Sequence, residues 1–467
     1  MRVPNTCSYL YLKFRISLAL FPLLVLPHGY LASAENHSLD IQNSLTKYGS
    51  TLEDFFNAAI EYSPKLKIAE SRLDVSSDRK RIAQGRLLPQ ISATANVSDN
   101  TFTNVSNPRP TGFTGERYSV QLSQVLFDWG AFSSRKQARL NADQAEAEYY
   151  YELALLLTDV ADKYLNVLEA QDALSSIASE LEAVKNQLEQ IQSLYELQLT
   201  QVTDLYQAQA SLASVQAEQL RLQSELRLSE VQLRSVSGIE VDKLFSLKRD
   251  IDIPTVDQNV QYWIEEARKN NQQILAQQFA LESANERISE RKGAYMPRVA
   301  LIAQQQDSNV GFENIPQLRT DNTFFGVNIS IPLYAGGSNK AAISEARNQF
   351  NIVENQLRQL ELETRELVSS SYLLAQASQE LTAAAQSLVD STSVSAEAMQ
   401  QGFELGTVTN VDVLNSLRDQ YQAERELQRA RYEQIKYTLI LKRETGTLTN
   451  KDMIELGELF EENSSEL

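Results

Sequence analysis

"GFELGTVTNVDVLNSLRDQYQAERELQRA", residues 402–430, holds a single break in about a hundred residues of helix-forming sequence. Gly402, Gly406 and the run Thr407-Val408-Thr409-Asn410 interrupt the pattern, which resumes at once. Gly406, with Thr407 and Thr409, leaves a helix readily. Asn410 is expected to cap the returning helix, with Asp412 in its first turn, where a carboxylate suits the helix dipole. The stretch therefore predicts a reversal at the far end of a long rod.

A second reversal lies 208 residues earlier, in "LYELQLTQVTDLYQAQ" (194–209). The same offset sets Leu66 on Ile274, Gly85 on Gly293, Pro89 on Pro297, Glu196-Leu197 on Glu404-Leu405 and Asp204 on Asp412. Such a period is too long for a solenoid and predicts two tandem copies of one module, 51–250 and 251–450, followed by a tail at 451–467. Each copy begins with a helical segment (about Pro64 to Leu88; about Gln272 to Ala294) that ends at "LLPQI" or "YMPRV", because proline disfavours helix in the residue before it. Two strands follow in each, about 91–104 and 116–128, then about 298–312 and 322–335. Tyr118, Val120 and Leu122 alternate with polar neighbours, as do Val327, Ile329, Ile331 and Leu333, so each strand has one apolar and one polar face. "NPRPTG" and "ENIPQ" read as the loops between them.

The helical hairpins are expected at 131–237 and 338–445. From Ala131 to Ser237 there is neither glycine nor proline. Leu174, Ile177, Leu181, Val184, Leu188, Ile191 and Tyr195 step by three and four, a seam of period 3.5. In the second copy Leu360, Leu367, Leu374, Leu381 and Leu388 recur every seven residues, with Thr364, Ser371, Ser378 and Ala385 between them. Ala131 to Leu197 makes about 100 Å of helix, several times the thickness of a bilayer.

The N-terminus carries Arg2, Lys13 and Arg15, an apolar stretch from Ile16 to Leu26 and Ala32-Ser33-Ala34, a pattern expected of a signal peptide over 1–34. A polar leader over 35–50 follows. Cys7 is the only cysteine and precedes the apolar stretch, and His28 leaves His37 as the one later histidine. That inventory excludes disulfides, thiolate metal sites and histidine-based triads from the processed chain and implies no cofactor or metal. Formal charge is -18, and removing three basic residues makes it -21, the wrong sign for a nucleic-acid partner. No later segment has the apolar length of a transmembrane helix.

Three readings fit long helices and short strands: a rod or periplasmic coiled-coil adaptor, an enzyme using carboxylates alone, or a membrane duct. An adaptor pairs one hairpin with glycine-rich β domains, whereas this chain has two hairpins and 16 glycines. For an enzyme, no acidic pair stands out from a solvated helix face. Four strands cannot close a transmembrane barrel, whose smallest form has about eight, and open edges are not tolerated in lipid. Membranous strands would have to be pooled, two chains giving eight and three giving twelve.

The paired blocks "SP…GRLLP…FDWG" and "NN…GAYMP…PLYAGG", with "FELGTVTNVDVLNSLRDQYQAERELQRARYEQI" and "GTLTNKDMIEL", give the chain a resemblance to the TolC family of outer-membrane efflux channels from about Thr51 to Leu459. The resemblance implies a mainly α fold with β: a homotrimer whose twelve-stranded barrel in outer-membrane lipid continues into a twelve-helix periplasmic barrel. An equatorial belt is expected from Val256 to Asn270 and from Asp452 to Leu459. Such channels are exit ducts of tripartite efflux or type I secretion, joined to a periplasmic adaptor and an inner-membrane RND or ABC transporter.

In family terms the two reversals are the periplasmic tip. Leu199, Thr200 and Gln201, with Thr407 and Thr409, are then the turns that meet the adaptor. Asp412 and Asn415 take the two positions of an acidic ring at the entrance, Thr203 and Asp204 match the partners on the first hairpin, and Gly406 forms the second turn. Phe403 and Val408 stand where the family has a tyrosine and an arginine that tie the hairpins together. Neither can donate those hydrogen bonds, so the tip is expected to be held more by packing than by salt bridges. Gln198 stands where glycine is expected in the first turn. Trp129, Tyr118, Phe324, Phe325 and Tyr334 are candidates for an aromatic girdle at the membrane interface.

Overall fold

The computed structural model describes residues 48–461 apart from 105–106, 243, 249–252, 254 and 312–313. The expected signal peptide, and the leader up to residue 47, lie outside the described residues.

A short strand β1 (Tyr48–Gly49) leads into α1 (Leu52–Tyr62), whose start is fixed by a reciprocal cap between Thr51 and Asp54. Phe55 and Ala59 on its inner face are fully buried. Ser63 then caps α2 (Pro64–Gly85), where Pro64 takes the first helical position, which has no partner for an N–H in any case. The second copy repeats this pair 208 residues on, as α5 (Val260–Asn270) and α6 (Gln272–Lys292), with Asn271 as the cap between them. The sequence reading has no counterpart of α1, and it starts the equatorial helix at Val256, four residues before α5 begins.

Four strands form one antiparallel sheet: β2 (Gln90–Asn104), β3 (Asn107–Phe127), β6 (Arg298–Val310) and β7 (Pro316–Ser330), in the order β2-β3-β6-β7. Register places Ile91, Leu122, Ala303 and Phe325 side by side, and two rungs on Ala93, Val120, Gln305 and Thr323. This face also carries Val97, Tyr118, Val327 and Ile329, while the opposite face carries Ser92, Thr94, Gln121, Gln304 and Asn322. The apolar stretch on β2, from Ile91 to Val97, rises about 20 Å along the strand. Level with Ala95 and Val97, on the same face, Arg319 Nε donates to Asp307 Oδ1 at 2.8 Å and its NH1 to Glu116 Oε2 at 3.5 Å.

Two expectations about the strands change. "NPRPTG" (107–112) is not a loop but the start of β3, with Gly112 opposite Thr101 and Thr111 opposite Phe102. Its prolines fit because this arm of β3 pairs on one side only; β6 joins it from Arg117 onward. Conversely Ile331 to Ala335 lies outside β7, because β6 begins at Arg298 opposite Ser330 and offers no partner beyond, and Pro332 lacks an N–H. Phe324 faces the polar side, opposite Gln304, so of the neighbouring phenylalanines only Phe325 belongs to the apolar face.

The long helices follow the sheet: α3 (Trp129–Glu196) with α4 (Val202–Ser237), and α7 (Ser338–Glu404) with α8 (Asn410–Glu444). At 68 residues α3 is about 100 Å long. Ile177, Val184 and Ile191 of the first seam are buried, the first two in a cluster with Ala208, Val215 and Leu222 of α4. The second seam differs from expectation. Thr364, Val368, Ser371, Ala375 and Ser378 are the buried stripe of α7, whereas Leu367, Leu374, Leu381 and Leu388 are 45–59% exposed in the single chain. Small side chains on the buried stripe let α8 and α5 approach closely, and the leucines sit one residue off that line.

The main core lies around the middle of α3. Tyr164 is fully buried, with Phe55 and Phe460 edge-on to it at 5.8 and 5.4 Å. Its hydroxyl donates to the carbonyls of Ser50 and Phe245, and burial pushes its pKa well above the ordinary tyrosine value. Around it gather α1, α9 (Asn450–Glu458) and four short strands, β1 paired with β4 (Glu240–Val241) and β5 (Ser246–Leu247) paired with β8 (Phe460–Glu461).

Candidate functional site at the hairpin turns

Both turns end their first helix in the same way. Leu199 N–H donates to the Leu194 carbonyl and Gln198 N–H to that of Tyr195; 208 residues on, Thr407 N–H reaches Gly402 and Gly406 N–H reaches Phe403. These paired bonds satisfy carbonyls that the helix end leaves open, and they place one residue in the left-handed region. That residue is Gln198 (φ 60°) in the first turn and Gly406 (φ 73°) in the second.

The returning helices also start alike. Thr409, not Asn410, is the N-cap of α8: its Oγ1 accepts from Asp412 N–H and donates to Asp412 Oδ2 at 2.6 Å, while Thr409 N–H donates to the same carboxylate oxygen at 3.2 Å. In the first turn Thr200 Oγ1 donates to Asp204 Oδ2 at 2.6 Å, and Thr203 Oγ1 donates to Gln201 Oε1. Each aspartate thus has one oxygen engaged in its own turn. Asp412 and Asn415 remain exposed, and Asp204 is half-buried.

Phe403 and Val408 are half-buried. Val408 lies over Gly402, where an added methyl group would meet Val408 Cγ2 at 2.6 Å. At the outer edge of the turns Leu199 is 70% exposed; Leu197 and Leu405, paired by the repeat but not read as contact residues from sequence, are 69% and 80% exposed.

Asn410 turns inward instead of capping. It is buried, its Oδ1 accepts from Gln187 Nε2 of α3 at 2.9 Å, and its Nδ2 donates to the Asp204 carbonyl of α4 at 3.4 Å. Further along the α3–α8 seam Arg425 donates to the buried Glu180 at 2.7 Å, Tyr432 OH donates to Asp172 Oδ2 at 2.6 Å, and Lys436 Nζ reaches Asn166 and Glu169. Burial pushes the Asp172 carboxyl upward, against the pull of Tyr432 and Arg431. Within one chain, then, the two hairpins are joined by the Asn410–Gln187 hydrogen bond near the tip and by the Arg425–Glu180 ion pair further along, as well as by packing. Heptad reading passes over these residues because Gln187, Glu180 and Arg425 look like solvated helix positions; only their partners on the other hairpin of the same chain reveal them.

Among the described residues no cluster of His, Cys, Asp and Glu could hold a metal ion, and no helix is long and apolar enough to cross a membrane. A sheet with one apolar face and two open edges, carried on two helical hairpins each far longer than a bilayer is thick, is the architecture of an outer-membrane channel protein with a periplasmic helical extension. The model of the outer membrane efflux protein family matches residues 56–239 and 263–447, and the chain belongs to that family. It is 29% identical to outer membrane protein TolC of Vibrio cholerae, over 88% of this chain and 94% of that one. It is 24% identical to the alkaline protease secretion protein AprF of Pseudomonas aeruginosa, over 86% and 85%. The solved structure of the outer membrane protein VceC from Vibrio cholerae superimposes with a TM-score of 0.71 at 18% identity, covering 85% of this chain and 96% of that one.

Proposed function

We propose that three copies of this chain form the exit duct of a tripartite efflux or type I secretion system, passing cargo from an inner-membrane RND or ABC transporter and its adaptor across the outer membrane. The observation that carries this reading is the sheet. β2 and β7 each pair on one side only, and the face they share is apolar toward the helices, with Ile91, Leu122, Leu301, Phe325, Val327 and Ile329, as the apolar band of an outer-membrane barrel requires. Lipid does not tolerate unpaired strand edges, so β7 of one copy must meet β2 of the next. Twelve strands then close one barrel, and twelve long helices continue it as a tube. The leucine stripe of α7, exposed in one chain, supports a neighbour packed along it.

On this reading the chain consists of a removed signal (1–34), repeats at 51–250 and 251–450, and an equatorial tail. Asp412 forms a threefold carboxylate ring at the entrance, with Asn415 as a neutral second ring, so the mouth prefers cations. Thr203, Asp204, Phe403, Val408 and Gly406 form the constriction. Leu199, Thr200, Gln201, Thr407 and Thr409 meet the adaptor, joined by the exposed Leu197 and Leu405. The family description and the secretion role in AprF's name support the two kinds of export. Recording the protein in planar lipid bilayers tests the proposal: cation-selective pores are expected, and pores that do not discriminate between ions, or no pores, would refute it.

A further inference from the structure

In this chain the hairpin-tying positions hold Phe403 and Val408, side chains with nothing to donate, yet a buried amide bridges the hairpins a few residues away. We infer that Asn410 is the latch that holds the second hairpin against the first at the tip of each chain; the inference rests on the channel reading above.

Three observations carry it. Asn410 is 3% exposed although it sits at the first position of α8, next to a turn whose other residues are mostly exposed. Its cap role is taken by Thr409, so its side chain is not needed for helix initiation. Both ends of its amide cross to the first hairpin: Oδ1 accepts from Gln187 of α3, itself 3% exposed, and Nδ2 donates to the Asp204 carbonyl at the start of α4. One side chain therefore touches both arms of hairpin one from the tip of hairpin two.

The geometry also says how the latch works. Buried amides left without partners are costly, so the closed tip is favoured while both bonds are made. When the second hairpin swings outward, Asn410 and Gln187 separate together and both amides meet water, which replaces the lost bonds. The latch is thus a switch between protein and solvent partners. Arg425 and Glu180, further from the tip, make a buried ion pair in the same seam.

The test uses the full-length protein from outer membranes in planar bilayers, with assembly checked by its migration as an oligomer. Asn410→Ala, which removes both bonds, is expected to raise the open fraction at least about fivefold, Gln187→Ala, which removes one of them, to raise it less, and the double variant to add little to Asn410→Ala. A second pair, Gln187→Cys with Asn410→Cys in a Cys7→Ser chain, is expected to be open when reduced and closed when a short bis-methanethiosulfonate reagent bridges the two thiols, releasing methanesulfinate from each end. Should Asn410→Ala fail to assemble, the cysteine pair carries the test. An assembled Asn410→Ala that conducts like wild type, or a cysteine pair unchanged by bridging, overturns the latch. Absence of pores from wild type overturns the channel reading, and the latch with it.

Discussion

Gln198 and Gly406 hold the same place in the two hairpin turns, 208 residues apart, and both are left-handed, at φ 60° and 73°. An L side chain costs roughly 1–2 kcal/mol in that region, whereas glycine costs only its greater freedom in the unfolded chain. A methyl group added at Gly406 would touch nothing within 4 Å, so only the backbone is affected there. Gly406→Ala should weaken the second turn by about 1–2 kcal/mol, read as faster amide exchange around residues 402–410. Gln198→Gly should be neutral or slightly stabilising for the first turn.

The buried pair of Glu180 and Arg425 leads to a larger effect. Their side chains are 3% and 20% exposed, and removing one partner leaves the other charge buried. Arg425→Met should destabilise the α3–α8 seam by about 3–5 kcal/mol, and adding Glu180→Leu should recover most of it. Thermal unfolding of the three proteins measures this; equal losses in the single and double variants would contradict it.

Asp172 makes stability depend on pH in the direction opposite to most carboxylates. Burial raises its pKa above the ordinary value, so the folded chain holds that proton more tightly than the unfolded one. Its contribution is therefore most favourable in acid and is lost as pH rises through the folded value. Asp172→Asn keeps a partner for the Tyr432 hydroxyl and removes the buried charge. The variant's gain in melting temperature over wild type should be larger at pH 8 than at pH 4, and a gain that grows toward acid would be the wrong sign.

Neighbouring residues on β3 should differ sharply in tolerance. Val120 lies on the apolar face and Gln121 on the polar one. Val120→Arg should cost about 2–4 kcal/mol of insertion if that face meets lipid at mid-depth, whereas Gln121→Arg should cost little. Folding into lipid vesicles, followed by the mobility shift of the folded barrel, compares them.

Much of the fold was legible from period and repetition. The 208-residue offset that links Asp204 to Asp412 also links the ends of the long helices, Glu196 to Glu404 and Val202 to Asn410. What escaped depends on partners far along the chain. α1 is short, and its burial comes from Tyr164 and Leu165 more than a hundred residues away. The prolines of "NPRPTG" mimic a loop, because one-sided pairing is not visible in local sequence. The leucine repeat of α7 marked an apolar stripe correctly as a pattern but not as the stripe that packs on α8. At the tip the turns were readable from Gly406 and the threonines, while Asn410 looked like a cap, since nothing local distinguishes a capping asparagine from one that reaches Gln187.

Everything proposed for this chain depends on strand edges meeting between copies. Single cysteines along β7, from Thr320 to Asn328, each combined with Asn96→Cys on β2 in a Cys7→Ser chain and oxidised in outer membranes, test that most directly. At the matching register the account predicts disulfides that link three chains into one covalent species. Cross-links confined to single chains, or no species larger than one chain at any register, would contradict it.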